Sequence, residues 1–149
     1  RSYVIHENPE YPGHGPTHTR QLQWIKCREG DRVFNVVNVH GLWNGQGKTD
    51  TEPRIQQSQR IVEFLKTLKG DIILCGDFNL RPDTKSIEIA GEGMRNLIKE
   101  YDIQSTRTSL YTKLERHADY VFVSPSINVL DFKVMPDVVS DHAPIFLTF

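Results

Sequence analysis

The distribution of apolar and polar residues first predicts a β-hairpin in the early part of the chain. Residues 1–5, 21–28 and 32–39 are strand-like, with β-branched and aromatic residues set among polar ones. Gly30 and Asp31 separate the last two of these segments, and such residues are typical of tight hairpin turns. The pattern therefore predicts two consecutive strands, 21–28 and 32–39, joined by a short turn.

A helical period replaces the strand pattern after the hairpin. Pro53 suits the first turn of a helix and Gly70 suits its end, so one helix is predicted from Pro53 through Lys69. Its apolar face is formed by Ile61, Phe64, Leu65 and Leu68. Shorter helices are predicted for residues 84–90 and 94–101. Further strands are predicted near residues 71–75, 105–110, 118–124, 128–135 and 145–149.

Two short polar motifs adjoin these predicted strands. Asp77 and Asn79 follow the apolar run 71–75, and Asp141 and His142 precede the last strand. Alternate residues of an extended backbone project to the same face, so we expect the Asp77 and Asn79 side chains to reach the same group. Both residues are also common in turns stabilised by their own side chains, which is the purely structural alternative.

Two further polar residues stand at strand ends. His40 ends the second hairpin strand, and Asp119 begins the strand predicted near 118–124. Each has a simple structural alternative: a locally satisfied histidine for His40, and a surface ion pair with Arg116 for Asp119. Their chemical meaning therefore depends on whether the four pieces of sequence meet in the folded chain.

Taken in order, the four pieces resemble the endonuclease/exonuclease/phosphatase superfamily, whose members include deoxyribonuclease I. The resemblance implies an α+β fold in which a two-sheet β-sandwich is flanked by helices. It also implies that the chain hydrolyses phosphoesters. The roles it assigns are phosphate contact for His40, water and phosphate positioning for Asp77 and Asn79, metal binding for Asp141, general base or transition-state stabilisation for His142, and orientation of that imidazole for Asp119.

The chemistry of phosphoester hydrolysis requires residues of these types. It needs a hard cation on the phosphate oxygens, a positioned water and a group that accepts its proton. Mg²⁺ or Mn²⁺ prefers carboxylate and water oxygens, and Asp77 and Asp141 are the candidate ligands. An Asp119–His142 pair would give the imidazole a defined tautomer. We expect a phosphodiesterase of the nuclease type; the alternatives are a phosphomonoesterase of a sugar or lipid phosphate and a non-catalytic phosphate-binding domain.

One expected part of the superfamily pattern is missing. Its amino-terminal half usually supplies an Asn on the first strand and a Gln-Glu pair, and nothing before Phe34 matches them. Glu7 directly precedes a proline- and glycine-rich stretch, 9–16, that is typical of a loop. The chain has 149 residues, whereas two-sheet sandwiches run to roughly 200–250. We therefore expect one domain, 1–149, that is the carboxy-terminal part of this fold and lacks its amino-terminal strands.

Composition narrows the remaining function classes only slightly. The net charge of −1 gives no general attraction to nucleic acid, although nucleic acid stays among the candidate phosphoester substrates. Local basic residues are Arg95, Lys99, Arg107, Lys113 and Arg116. No run of eighteen apolar residues predicts a membrane segment, so the cytoplasm is the default location. Open sheet edges would also allow the chain to associate with itself.

Overall fold

The computed structural model describes residues 1–8 and 18–149 of the chain. The stretch 9–16, predicted above as a loop, thus lies outside the described residues. The elements are, in order, β1 Ser2–His6, β2 Arg20–Glu29, β3 Arg32–His40, α1 Glu52–Leu65, β4 Asp71–Asp77, α2 Lys85–Ala90, β5 Arg95–Asn96, α3 Leu97–Glu100, β6 Asp119–Val123, β7 Asp131–Val134 and β8 Ile145–Thr148.

Six of these strands form one sheet in the order β1-β2-β3-β4-β6-β5, and β7 and β8 pair as a second sheet. In the larger sheet β3 and β4 are parallel, with α1 in the connection between them, and the other neighbours are antiparallel. The prediction of an α+β fold with two sheets and flanking helices is therefore confirmed. The parallel pair matters for function because it brings the ends of β3 and β4 to the same edge.

The predicted hairpin is present in the expected register. Glu29 pairs with Arg32, so Gly30 and Asp31 form a two-residue turn, and Gly30 has the positive φ of 57° that such turns require. The strands extend one residue beyond the prediction at most ends, and β3 closes on His40. The hairpin thus delivers His40 to the edge of the sheet.

The long helix ends earlier than the sequence predicts. It begins one residue before Pro53 and stops at Leu65 rather than Lys69. Beyond it, the Thr67 and Leu68 amides bond to carbonyls only three residues back, which tightens the chain into a turn leading to β4. Ile61 and Leu65 are buried as predicted, while Leu68 packs at the margin of the core.

Two other predicted elements are wrong in part. Residues 105–110 form no strand; only an isolated bridge joins Arg107 to His142. The Thr106 amide donates to the Arg116 carbonyl and the Thr108 amide to the Asp141 carbonyl, so the backbone of this segment bonds to two different parts of the chain instead of pairing with one strand. The helix predicted over 94–101 is reduced to Leu97–Glu100, because Arg95 and Asn96 pair with β6.

The two faces of the larger sheet are covered differently. The face that carries Leu22, Val37 and Leu74 is buried with Ile61 of α1 in the main core. On the opposite face the second sheet provides part of the cover, and the ring of Phe34 meets that of Phe149 at 5.4 Å. Ile25 on this face is 62% exposed. Self-association through such surface stays a prediction. None of the helices in residues 1–8 and 18–149 has the length and hydropathy needed to cross a membrane.

Candidate active site

Four of the predicted residues meet at one end of the larger sheet. His40 closes β3 and lies beside Asp77, which closes the parallel strand β4. Asp119, the first residue of β6, pairs across the sheet with Asp77. The isolated bridge to Arg107 fixes the backbone of His142, and its ring lies at the same end. Strand ends and strand pairing therefore create the cluster.

The imidazole of His142 is held by the carboxylate of Asp119. Its Nδ1 atom lies 2.8 Å from Oδ1 and 2.9 Å from Oδ2 of Asp119. An ionised carboxylate only accepts hydrogen bonds, so Nδ1 carries a hydrogen, and in the neutral imidazole Nε2 has the lone pair. Nε2 faces Asp77, with 3.7 Å to Oδ2. This arrangement presents a proton acceptor toward the open side of the cluster.

The surface ion pair between Asp119 and Arg116, considered as an alternative above, is wrong. Asp119 is buried and bonds to His142 and Thr106. Arg116 instead donates hydrogen bonds to the backbone carbonyls of Tyr111, Arg107 and Thr108. Its guanidinium thus stabilises the loop before β6.

Thr106 completes the setting of the Asp119 carboxylate. Its hydroxyl donates to Asp119 Oδ2 at 2.9 Å and accepts from the amides of Ala118 and Asp119. Burial and the nearby Asp77 charge raise the pKa of Asp119, and the bonds from His142 and Thr106 act against that rise. Sequence reasoning missed Thr106, since a threonine between polar residues carries no signal that it will face a carboxylate thirteen positions away.

Asp77 and Asn79 form a tight turn rather than a continued strand. Asn79 has φ 55°, a left-handed conformation that asparagine tolerates, so the expectation of an extended backbone is wrong. The backbone N–H of Asn79 donates to Asp77 Oδ1 at 2.8 Å, and the Asn79 side-chain Nδ2 donates to the carbonyl of Gly41. The structural alternative is thus present, and it also aims Asp77 Oδ2 away from the turn, toward the two histidines.

His40 lies on the other side of Asp77 from the Asp119–His142 pair. Its Nε2 atom is 3.9 Å from Asp77 Oδ2, and 63% of the side chain is exposed. Partial burial and the positive charge of Arg20 lower the pKa of His40, against the opposing effect of Asp77. The two distances from Asp77 Oδ2 to the imidazoles, 3.7 and 3.9 Å, exceed hydrogen-bond length, and a water that donates to Asp77 could bridge them.

Asp141 lies next to this group but has a different partner. Arg107 Nη1 contacts Asp141 Oδ2 at 2.7 Å, and the Asp141 side chain is 49% exposed. Donor atoms of Asp77, Asp119 and His142 lie within 4.8 Å of one another and could hold a cation, whereas Asp141 is outside that group. The predicted metal pair Asp77 and Asp141 stays a prediction.

The predicted basic residues have mostly structural partners. Arg95 forms an ion pair with Glu100 on α3. Arg107 pairs with Asp141, and its guanidinium lies 4.3 Å from the ring of Tyr111. Arg95 and Arg107 are thus both engaged by carboxylates of the chain itself.

The loop between β3 and α1 is anchored beside the cluster. Lys48 is buried; its Nζ donates to the carbonyl of His117 at 2.6 Å and lies 5.0 Å from the Tyr111 ring. Burial, with a contribution from Arg107, lowers the pKa of Lys48 to about 8. Trp43 is half-buried, and the cationic groups of Arg54 and Lys113 lie 5.9 and 5.6 Å from its ring, which favours an anchoring role.

A family model for the endonuclease/exonuclease/phosphatase family matches residues 8–142. The chain belongs to this family. The match includes every predicted site residue from His40 to His142. A search of curated protein sequences found no significant match to the chain.

Solved structures of the family share the fold. A mannosyl-6-phosphatase from Bacteroides thetaiotaomicron matches all of this chain and 65% of its own length, with a TM-score of 0.75 and 22% identity. D. rerio TDP2 complexed with a single-strand DNA product matches 99% of this chain and 66% of its own length, with a TM-score of 0.64 and 14% identity. The human Nocturnin catalytic domain matches 99% of this chain and 59% of its own length, with a TM-score of 0.60 and 22% identity. The chain thus spans less than two thirds of the length of these structures.

Proposed function

We propose that the chain is a divalent-metal-dependent phosphoesterase that hydrolyses phosphodiester bonds. The observation that carries this proposal is the placement of Asp77 Oδ2 between two imidazole Nε2 atoms, with His142 oriented by a buried carboxylate. A water bound beside these atoms would contact the Asp77 carboxylate, the proton-accepting Nε2 of His142 and a second imidazole. These are the groups that hydrolysis of a phosphoester uses.

Each residue of the cluster has a separate role in this proposal. Asp77 orients the attacking water, and His142 Nε2 accepts its proton while Asp119 stabilises the resulting imidazolium. His40 contacts an oxygen of the scissile phosphate. Asn79 is buried and fixes the turn that aims Asp77, because its backbone N–H donates to Asp77 Oδ1 and its side chain donates to the Gly41 carbonyl.

The donor set fits a hard cation, although sparsely. Asp119 is committed to His142, which leaves Asp77 as the carboxylate of the cluster available to Mg²⁺ or Mn²⁺. Asp141 lies outside the donor group and meets Arg107 through Oδ2, so in this proposal it is the second ligand through its other oxygen. When bound, the cation would polarise the phosphate oxygens and offset the charge that develops on them. With two protein carboxylates, water would complete its coordination and binding would be weak.

Two alternatives follow from particular observations. The similarity in fold to a mannosyl-6-phosphatase favours a phosphomonoesterase that acts on a sugar or lipid phosphate. The sparse carboxylate set favours a phosphate-binding domain without catalysis. Hydrolysis of bis-p-nitrophenyl phosphate, p-nitrophenyl phosphate and plasmid DNA with Mg²⁺ separates the three functions.

The mutational test uses one residue from each part of the cluster. His142→Ala and Asp77→Ala should each lower the diester rate by about 10²–10⁴-fold, because each removes a group that positions or deprotonates water. Asp31→Ala, in the exposed hairpin turn, is the control and should leave the rate unchanged. Unchanged diester hydrolysis in His142→Ala would contradict the proposed base, and binding of phosphate without any hydrolysis would favour the non-catalytic alternative.

A further inference from the structure

Arg20 is a buried cation without a partner among the described residues. It opens β2, is only 8% exposed, and its Nε atom has no hydrogen-bond acceptor. Within residues 1–8 and 18–149, no carboxylate lies at ion-pair distance from the guanidinium. By contrast, Arg54, Arg107 and Arg116 each donate at least one hydrogen bond to a described residue. Arg20 therefore needs another explanation for its burial.

The guanidinium lies beside the candidate active site. A cavity of about 640 Å³ is lined by His18, Thr19, Arg20, Gln21 and His40, and none of these residues is acidic. His40 is shared between this cavity and the cluster around Asp77. Asp77 is near enough to act on Arg20 electrostatically, but it does not line the cavity. The cavity thus lies next to the candidate active site, contains the Arg20 cation and shares His40 with the site.

The donors around the cavity suit one class of ligand. A guanidinium matches the geometry of phosphate or carboxylate, with two parallel hydrogen bonds available. The imidazoles of His18 and His40 can each add a donor. A buried cation is unfavourable until an anion supplies its partner, so the site gains most from a ligand with high negative charge. A phosphomonoester meets that requirement better than a carboxylate, and a phosphodiester, with the single charge of a carboxylate, offers two oxygens that match the guanidinium.

We propose that Arg20, with His18 and His40, binds a second phosphate group of the substrate, adjacent to the phosphate that is hydrolysed. This proposal rests on the proposed phosphoesterase function and specifies its substrate class. The second phosphate is either the neighbouring diester of an oligonucleotide or a second monoester on a small molecule. His40 would contact both phosphates, since it is common to the two sites.

The test measures binding of thymidine 3′,5′-bisphosphate and thymidine 5′-monophosphate by titration calorimetry on the whole chain, without metal. The wild-type chain should bind the bisphosphate about 10- to 100-fold more tightly, as expected for bonds to a buried cation. Arg20→Gln should remove most of that preference, and Arg20→Lys should keep part of it. Arg28→Gln, at the exposed end of the same strand, should retain the full preference.

Folding and catalysis are controlled separately. Removing an unpaired buried charge should not lower the melting temperature, so Arg20→Gln should unfold no earlier than the wild type. Should Arg20→Gln fail to fold, Arg20→Lys decides, because a merely structural cation would leave the bisphosphate preference complete. Equal affinity of the wild type for both ligands, or an unchanged preference in either Arg20 variant, would overturn the proposal.

A second pair of ligands identifies the source of the phosphate. The dinucleotide pTpT and fructose 1,6-bisphosphate are titrated into the wild type and Arg20→Gln. The ligand whose affinity falls more in Arg20→Gln indicates a nucleic acid or a small-molecule substrate, and no fall for either would overturn the subsite. If the preference depends on Arg20 but no phosphoester is cleaved, the subsite stands and the proposed function fails. If diesters are cleaved but the bisphosphate preference does not depend on Arg20, the proposed function stands and the subsite fails.

Discussion

Substitution of Thr106 tests the support beneath the candidate catalytic pair. Thr106→Val keeps the size and β-branching of the side chain but removes its hydroxyl. That hydroxyl donates to Asp119 Oδ2 at 2.9 Å and accepts from the amides of Ala118 at 3.2 Å and Asp119 at 3.3 Å. Thr106 is fully buried, so water cannot replace these bonds without a rearrangement. The substitution should therefore destabilise the fold and loosen the Asp119 carboxylate.

The magnitude follows from the three hydrogen bonds. Loss of a bond to a charged carboxylate costs about 1.5–3 kcal/mol, and an unsatisfied buried amide costs about 1–3 kcal/mol. The two amide contacts are long and share one oxygen, so their joint contribution belongs at the low end. We expect the free energy of unfolding to fall by about 2–4 kcal/mol. For a chain of this size, that corresponds to a melting temperature lower by roughly 5–15 °C.

The assay is urea unfolding at pH 7, with thermal unfolding as a second probe. Thr106→Ser is the matched control, because it keeps the oxygen and loses only a methyl group, at a cost of about 1 kcal/mol. The imidazole resonances of His142 report whether its ring loses its fixed position. A loss below about 0.5 kcal/mol in Thr106→Val, or equal losses in the two variants, would refute the reasoning that the hydroxyl supports Asp119.

Three further predictions concern the strand end, the buried lysine and the metal. Gly76→Ala should cost more than about 3 kcal/mol, since its φ is 127° and an added Cβ would meet the Val39 carbonyl; chemical denaturation measures the loss. Lys48 has a folded-state pKa of about 8 against 10.5 for the free side chain, so the unfolded chain binds more protons between these values. Wild-type stability should therefore rise by up to about 2 kcal/mol relative to Lys48→Met as pH increases from 8 to 10. Mg²⁺ should bind weakly in calorimetric titration, and Asp141→Ala should weaken it further.

The outcomes that contradict these predictions are specific. Gly93→Ala is the control for Gly76, because its Cβ would meet no atom within 4 Å, and equal losses at the two glycines would exclude the steric argument. Parallel stability curves for the wild type and Lys48→Met between pH 8 and 10 would mean that the lysine pKa is not lowered. Tight Mg²⁺ binding that survives Asp141→Ala would exclude that carboxylate as a ligand.

The sequence predicted the hairpin and the places of most strands because these depend on neighbouring residues. Turn residues such as Gly30 have local backbone requirements, and apolar runs identify strands before they pair. Element boundaries were less predictable. The helix α1 stopped at Leu65 because the chain had to turn into β4, a constraint that the helical period after Ile61 does not contain.

By itself the sequence determined where the candidate residues lie along the chain: His40, Asp77, Asp119 and His142 are all at or near strand ends. Only the tertiary structure decided their partners, because hydrogen bonds between side chains depend on distances that the fold sets. It paired Asp119 with His142, 23 positions later, and committed Asp141 to Arg107, 34 positions earlier. It also left Arg20 buried beside His40 without a carboxylate among the described residues. Turn and strand preferences depend on residues adjacent in sequence, whereas burial and charge pairing depend on residues that are distant in sequence and close in the fold.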